Sequence, residues 1–483
     1  MPGTEIFLNG VSLTGEPLVA PEEIARMLAS LRSRTADPAS SPGILAWLRG
    51  LVRKIEPHWG LPLGVEALDP AQAGWAIVFH ASESGEVRDA LAPLIEHRGR
   101  RLGPAKVKVL EYRSGEDCPS WLARHNVEPG SVLPHRVPYY LLLAGDPSRI
   151  PFGFQSHLAV EYAVGRLSFD TPEEYRRYVE SVIDYESGAT VANRRTAVFF
   201  GSRHDAITRM CADLLVRPLA EGLAADGDEP AQPGAAERWG FATRTLLAED
   251  ATRASLAEVF SPSGGAETPA FLFSATHGLG LPPGHPEQIR KQGALACQDS
   301  LGPGTIRCFA GEDLPSDARV HGMVCFHFAC FGAGTPERDE FLHEPGKPPR
   351  ALADAPFVAC LPKRLLAHPQ GGALAVLGHV ERAWGYSIQG ASGRPQLLPF
   401  QNTIGGILQG WPVGHAVRDF RQRFAVLSTN LADMLERISY GGTVPDETLA
   451  WAWVERNDAR NYAVLGDPAV RLRVDALQGG LAG

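Results

Sequence analysis

The sequence predicts a mixed α/β protein of two lobes, each a mostly parallel sheet flanked by helices. Phe271 to Ala275 and Met323 to Ala329 are continuous apolar runs bounded by turn residues, the pattern of strands buried on both faces. Between Gly74 and Leu110, strand-like and helix-like stretches alternate, which is the order of a parallel sheet. A chain of 483 residues that is 44% hydrophobic can fill two ordinary cores without disulfides.

Residues 1–68 form a proline-interrupted, partly helical lead, with a helix expected over Pro21 to Arg32 and no legible role. The first lobe, residues 69–190, begins with a strand at Gly74 to Phe79, a helix at Glu86 to Arg98 and a strand at Val107 to Leu110. Thr171-Pro172-Glu173-Glu174 joins the threonine and glutamate of a capping box to a proline at the first helical position. That helix should run to about Tyr185 and close the lobe. The second lobe, residues 191–483, opens with a strand at Thr196 to Phe200 and a helix from Asp205. Phe241 to Leu246, the two apolar runs and Gly372 to Leu377 then supply further strands. Ala224 to Ala236, rich in Ala, Gly, Asp and Pro, reads as an exposed loop rather than a site of self-processing. No internal repeat or heptad array is visible.

Charge and cysteine usage narrow the partners. A net charge of -9 excludes general nucleic-acid binding, which relies on basic patches to neutralise phosphates. Arg98-Gly-Arg-Arg101 and Arg176-Arg177 read as solvated helix ends and faces. No apolar run reaches the length of a membrane span, and Met1-Pro-Gly-Thr-Glu lacks the basic-then-apolar pattern of a signal peptide. Seven cysteines, an odd number without framework spacing, point to a reducing compartment. A cytoplasmic protein is expected, with neither nucleic acid nor membrane as partner and no cofactor.

Chemistry concentrates at the ends of the two apolar runs. The first leads into His277-Gly278 and the second into Cys330-Phe-Gly332-Ala-Gly334. In open α/β sheets the carboxyl ends of strands border the ligand crevice. A histidine and a cysteine placed there suit a thiol nucleophile and its proton carrier, and glycine turns beside them allow backbone N–H groups to face a substrate oxygen. Either residue alone is as well explained as a core cysteine or a turn histidine. The pair, each with glycines at the matching place, favours catalysis.

Strand-His-Gly followed by strand-Cys-x-Gly resembles the caspase-like (clan CD) cysteine peptidases, the group of caspases, gingipains, separases and CHAT-domain proteases. Tyr139 to Pro147, Ala163-Val-Gly165-Arg166-Leu167, the helix ending in Asp184-Tyr185-Glu186, and Asn461 to Leu472 are similar to the gingipain-like branch. The resemblance implies a cysteine endopeptidase acting on a protein or peptide. In it Cys330 is the nucleophile, His277 protonates the departing amine, and the N–H groups of Gly278 and Cys330 hold the oxyanion. The lack of a secretory start favours the regulated intracellular style of the CHAT-like members, with an activating or inhibitory protein partner. Asp205, in the Gly201-Ser-Arg-His-Asp205 loop, is a candidate orienting acid, although a turn carboxylate is the simpler account of it.

Specificity depends on loops after the catalytic strands. Asp299, Asp313, Glu337, Asp339 and Glu340 are candidate pocket carboxylates; one buried among them would select Arg or Lys. Trp384, in His379-Val-Glu381-Arg382-Ala-Trp384, is a candidate pocket wall, in a segment able to pair with an extended peptide. Two rival readings stand beside the peptidase. In one, His321, Cys325, His327 and Cys330 hold zinc, although strand alternation puts Cys330 on the opposite face from Cys325 and His327. In the other, the chain is a catalytically silent protease-like scaffold that binds a protein partner.

Overall fold

The computed structural model describes residues 10–14, 16, 18, 60–225, 230–263, 267–300, 307–341, 348–389 and 395–479. The helix expected at Pro21 to Arg32 lies outside these residues.

Ten strands make the main sheet, in chain order β1 (Trp75–His80), β2 (Val107–Tyr112), β3 (Tyr140–Ala144), β4 (Ala163–Leu167), β5 (Arg194–Gly201), β6 (Ala242–Leu247), β7 (Pro269–Ala275), β8 (Val324–Phe328), β9 (Ala375–His379) and β10 (Tyr462–Gly466). Their spatial order is β2-β1-β3-β4-β10-β9-β8-β7-β5-β6. Burial follows position. Every residue of β1, β3, β4, β7, β8 and β9 is buried, whereas the edge strands β2 and β6 carry exposed side chains. The continuous apolar runs therefore occupy the interior of the sheet, as their composition requires.

The two halves of the chain share this one mixed α/β sheet, flanked by helices. The last strand joins them: β10 pairs parallel to β4 and antiparallel to β9, and all other pairings are parallel. The carboxyl ends of β5 to β9 consequently open at one end of the sheet and those of β1 to β4 at the other.

Capping fixes the flanking helices. Ser84 caps α1 (Gly85–Leu102), and Thr171 and Glu174 form the expected capping box of α2 (Pro172–Ser187). Arg98 of α1 reaches Glu186 of α2 at 2.7 Å and Asp467, just beyond β10, at 2.9 Å. Trp75 of β1 donates its indole N–H to the same Asp467 at 2.9 Å. One buried carboxylate thus ties the closing strand to the amino-terminal half, with both of its oxygens engaged.

Candidate active site

Register brings the two motifs together. β7 and β8 are neighbours, paired in parallel from Phe271 with Val324 to Ala275 with Phe328. The ladder relates residues 53 apart, as between Ser274 and His327. His277 and Cys330 have the same offset, each two positions beyond the last pair. The chain after His277 lies directly on the cysteine peptide: a methyl group built on Gly278 would sit 1.9 Å from the Cys330 carbonyl oxygen and 2.7 Å from its nitrogen. Only glycine fits there.

Asp205 completes the constellation. It is the N-cap of α3 (Ala206–Cys211), where its Oδ1 accepts from Thr208 N at 2.8 Å. That placement at the end of β5, the other neighbour of β7, leaves Oδ2 free to meet His277 Nε2 at 2.6 Å. The Asp205-x-x-Thr208 capping pattern fixes the carboxylate in that place. Burial pushes the Asp205 carboxyl up, but the hydrogen bond and charge of His277, with the Thr208 donors, outweigh it and hold the group below its ordinary range. With Nε2 on the carboxylate, His277 has Nδ1 left for chemistry. This atom is buried and has no hydrogen-bond partner among the described residues. The ring of His204 lies beside His277, centroids 6.1 Å apart. Burial, then the charge of His277, lowers the His204 pKa.

Cys330 is fully buried. On one side the Ala383 N–H donates to its Sγ at 3.2 Å. Burial raises the thiol pKa; the Ala383 N–H and the Arg382 charge oppose this without cancelling it. Phe331 and Glu381 both have positive φ, 58° and 67°, and Phe331 N donates to Glu381 O at 2.6 Å. Two non-glycine residues in this sparsely populated region hold the cysteine turn and the segment over it in one arrangement.

The insertion between the two motifs forms a small four-stranded sheet with the amino terminus, in the order Gly10–Val11, Gly278–Leu279, Leu295–Ala296, Cys308–Phe309. It buttresses the histidine: Ala296 N donates to His277 O at 2.9 Å, and Thr276 Oγ1 to Ala296 O at 2.6 Å.

The candidate pocket residues divide. Asp339 is buried, accepting from Arg382 and from Phe341 N, and Arg382 also holds Glu381. Trp384 is buried in the same segment, its backbone N–H donating to Asp458 and its ring 5.4 Å from that of Phe341. Asp299 instead accepts from Arg253 N, Asp313 pairs with Arg253, Glu337 pairs with Arg338, and Glu340 pairs with Arg460. The rival zinc set does not converge. His327 Nδ1 meets Ser274, His321 Nε2 meets the Ser181 carbonyl, and no group of three or more His, Cys, Asp or Glu among the described residues is placed to hold a metal. What sequence reasoning missed is the cover of the thiol: the Ala383 amide, and Gly10 with Leu18 from the lead.

No protein-family model matches the chain, and no curated protein matches it. Among solved structures it is similar to one described as "Structure of Protease", at 12% identity and a TM-score of 0.46, covering 82% of this chain and 78% of that one. It is similar also to the Arg-specific cysteine proteinase gingipain R, at 12% identity and a TM-score of 0.41, covering 83% and 79%. The complex of the pro- and mature domains of Porphyromonas gingivalis RgpB matches at 12% identity and a TM-score of 0.42, covering 83% and 80%.

Proposed function

We propose that the chain is a cysteine endopeptidase with Cys330 as nucleophile, His277 as proton carrier and Asp205 as the acid that orients it. The observation that carries this reading is the His277 ring: Nε2 is fixed on Asp205 at 2.6 Å, Nδ1 is buried and unpartnered, and the residue leaves its strand in register with Cys330. In the first step the Cys330 thiol proton moves to Nδ1 as sulfur bonds to the peptide carbonyl carbon. Negative charge gathers on the carbonyl oxygen, beside the N–H groups of Gly278 and Cys330. The C–N bond then breaks, Nδ1 gives its proton to the departing amine, and a thioester remains. Water attacks the thioester and passes a proton to Nδ1, and the carboxylic acid leaves as that proton returns to sulfur.

A regulated intracellular setting is the finer part of the proposal. It is supported by seven cysteines that are all free of disulfides. Among the described residues no helix is long and apolar enough to cross a membrane. The pocket is proposed to involve the segment carrying Asp339, Arg382 and Trp384. The burial of Cys330 favours a second reading, a protein-binding scaffold without turnover.

Intact-mass labelling with peptidyl acyloxymethyl ketones bearing Arg, Lys, Asp or Leu at the cleaved position separates the two. A single adduct is expected on the wild type, slowed in His277→Ala and absent in Cys330→Ala, with the preferred side chain reporting specificity. Undiminished peptide cleavage by Cys330→Ala would sink the assignment.

A further inference from the structure

The thiol is covered by the chain's own amino-terminal segment. Gly10–Val11 pairs in parallel with Gly278–Leu279, the two residues that follow His277, and Gly280 N donates to Val11 O at 2.9 Å. A methyl group built on Gly10 would lie 2.6 Å from Cys330 Sγ and 2.9 Å from its Cβ. The Gly10 backbone therefore lies over the sulfur with no room for a side chain between them. The segment turns back at once: Ser12 N donates to Glu16 O at 2.9 Å and Leu18 N to Gly10 O at 3.3 Å. Leu18 then packs over the same spot, its Cδ1 2.7 Å from a methyl built on Gly10 and its Cδ2 2.5 Å from one built on Gly280. Glycines at positions 10 and 280 are what let the turn and the Leu18 side chain lie this close.

A peptide substrate needs the same place. Its backbone must lie extended beside Gly278 while a carbonyl carbon comes within bonding reach of the sulfur, which is strand addition to an exposed edge. We infer that the Gly10–Leu18 turn is a built-in competitor for the peptide-binding edge, holding Cys330 latent until a peptide or partner displaces it. The inference rests on the peptidase reading for what the edge binds. The covering of the sulfur stands independently of it. Apparent affinity for any peptide is then reduced by the fraction of molecules with the turn lifted.

The test measures access to sulfur, not turnover. Full-length wild type, Gly10→Val and Leu18→Ala are exposed to iodoacetamide, and modification of Cys330 is followed by mass spectrometry, with Cys330→Ala as blank. Cys325, buried in β8 in the same tryptic peptide, serves as internal reference for general unfolding. The valine cannot occupy the Gly10 position, so Cys330 should react about tenfold faster or more, against a few-fold gain for Leu18→Ala, with Cys325 unreactive throughout. Equal Cys330 rates in all three proteins would overturn the inference, as would parallel gains at Cys325. Faster alkylation in the variants without peptide cleavage by any of them would uphold the covering turn and sink the peptidase reading instead.

Discussion

Asp205 makes the sharpest prediction because it serves two structures at once, with one oxygen on Thr208 N and the other on His277 Nε2. A charge-assisted hydrogen bond of this kind contributes roughly 1.5 to 3 kcal/mol. Its side chain is 47% exposed, so water screens part of that and the lower half of the range applies. Asp205→Ala should therefore lower kcat/KM by roughly 10- to 45-fold, since about 1.4 kcal/mol is a factor of ten. It should also cost about 1 kcal/mol of stability through the lost helix cap. Asparagine separates the two effects. It caps a helix as well as aspartate does, so Asp205→Asn should keep most of the stability. It carries no charge, however, and its amide can donate to Nε2, which forces the proton onto Nδ1 and blocks that atom as a base. The expected order is opposite in the two assays: alanine worse in urea unfolding, asparagine at least as bad in peptide hydrolysis. Both assays are best run in the Gly10→Val background, where the sulfur is open. If Asp205→Ala cleaves within twofold of its parent, or if activity simply tracks stability across the two variants, the orienting role is refuted.

Two further outcomes follow from burial. The thiolate is the species that reacts with iodoacetamide, and burial holds the Cys330 pKa above the usual thiol value of about 8.5. In the wild type the Cys330 alkylation rate should therefore still be rising above pH 9, and in Gly10→Val it should level off at lower pH; superimposable pH profiles would show that the covering turn does not set the thiol. Arg382 is buried between Asp339 and Glu381. Arg382→Met would take this cation from both carboxylates, a loss of roughly 3 to 5 kcal/mol in urea unfolding. Burial raises the Glu381 carboxyl even with Arg382 beside it, so the two proteins share most of that group's pH dependence and the loss is best read at a single pH of about 7. A loss below about 1 kcal/mol would contradict that account.

Much of the site was legible because its parts are contiguous in the chain. Phe271 to Ala275 and Val324 to Phe328 are apolar without interruption, so their depth in the sheet and the placement of His277 and Cys330 at their ends followed from composition. Asp205 was legible as a candidate orienting acid, but the second use of its carboxylate, as the cap of the helix it opens, was not read from the sequence. Which carboxylates are already paired was not legible, because that depends on what else reaches each of them. Asp339 is taken by an arginine 43 positions away, and nothing in its own neighbourhood announces that. Gly10–Val11 was invisible for a different reason: two residues carry no periodicity, and the strand exists only because Gly278–Leu279 offers it an edge. The merging of both halves into one sheet was hidden likewise, since strand direction at β10 is a property of its neighbours.

That central strand has a consequence for how the molecule is made. Tyr462–Gly466 stands in the middle of the sheet yet leaves the ribosome after the nine strands on either side of it. Until it emerges, β4 and β9 each end in a bare row of backbone donors and acceptors, the surface most prone to pair with another chain. His277 and Cys330 can already be neighbours at that stage, because β7 and β8 are complete. The amino-terminal turn that covers the sulfur is synthesised before any of them, so the nascent nucleophile never has to wait for its cover.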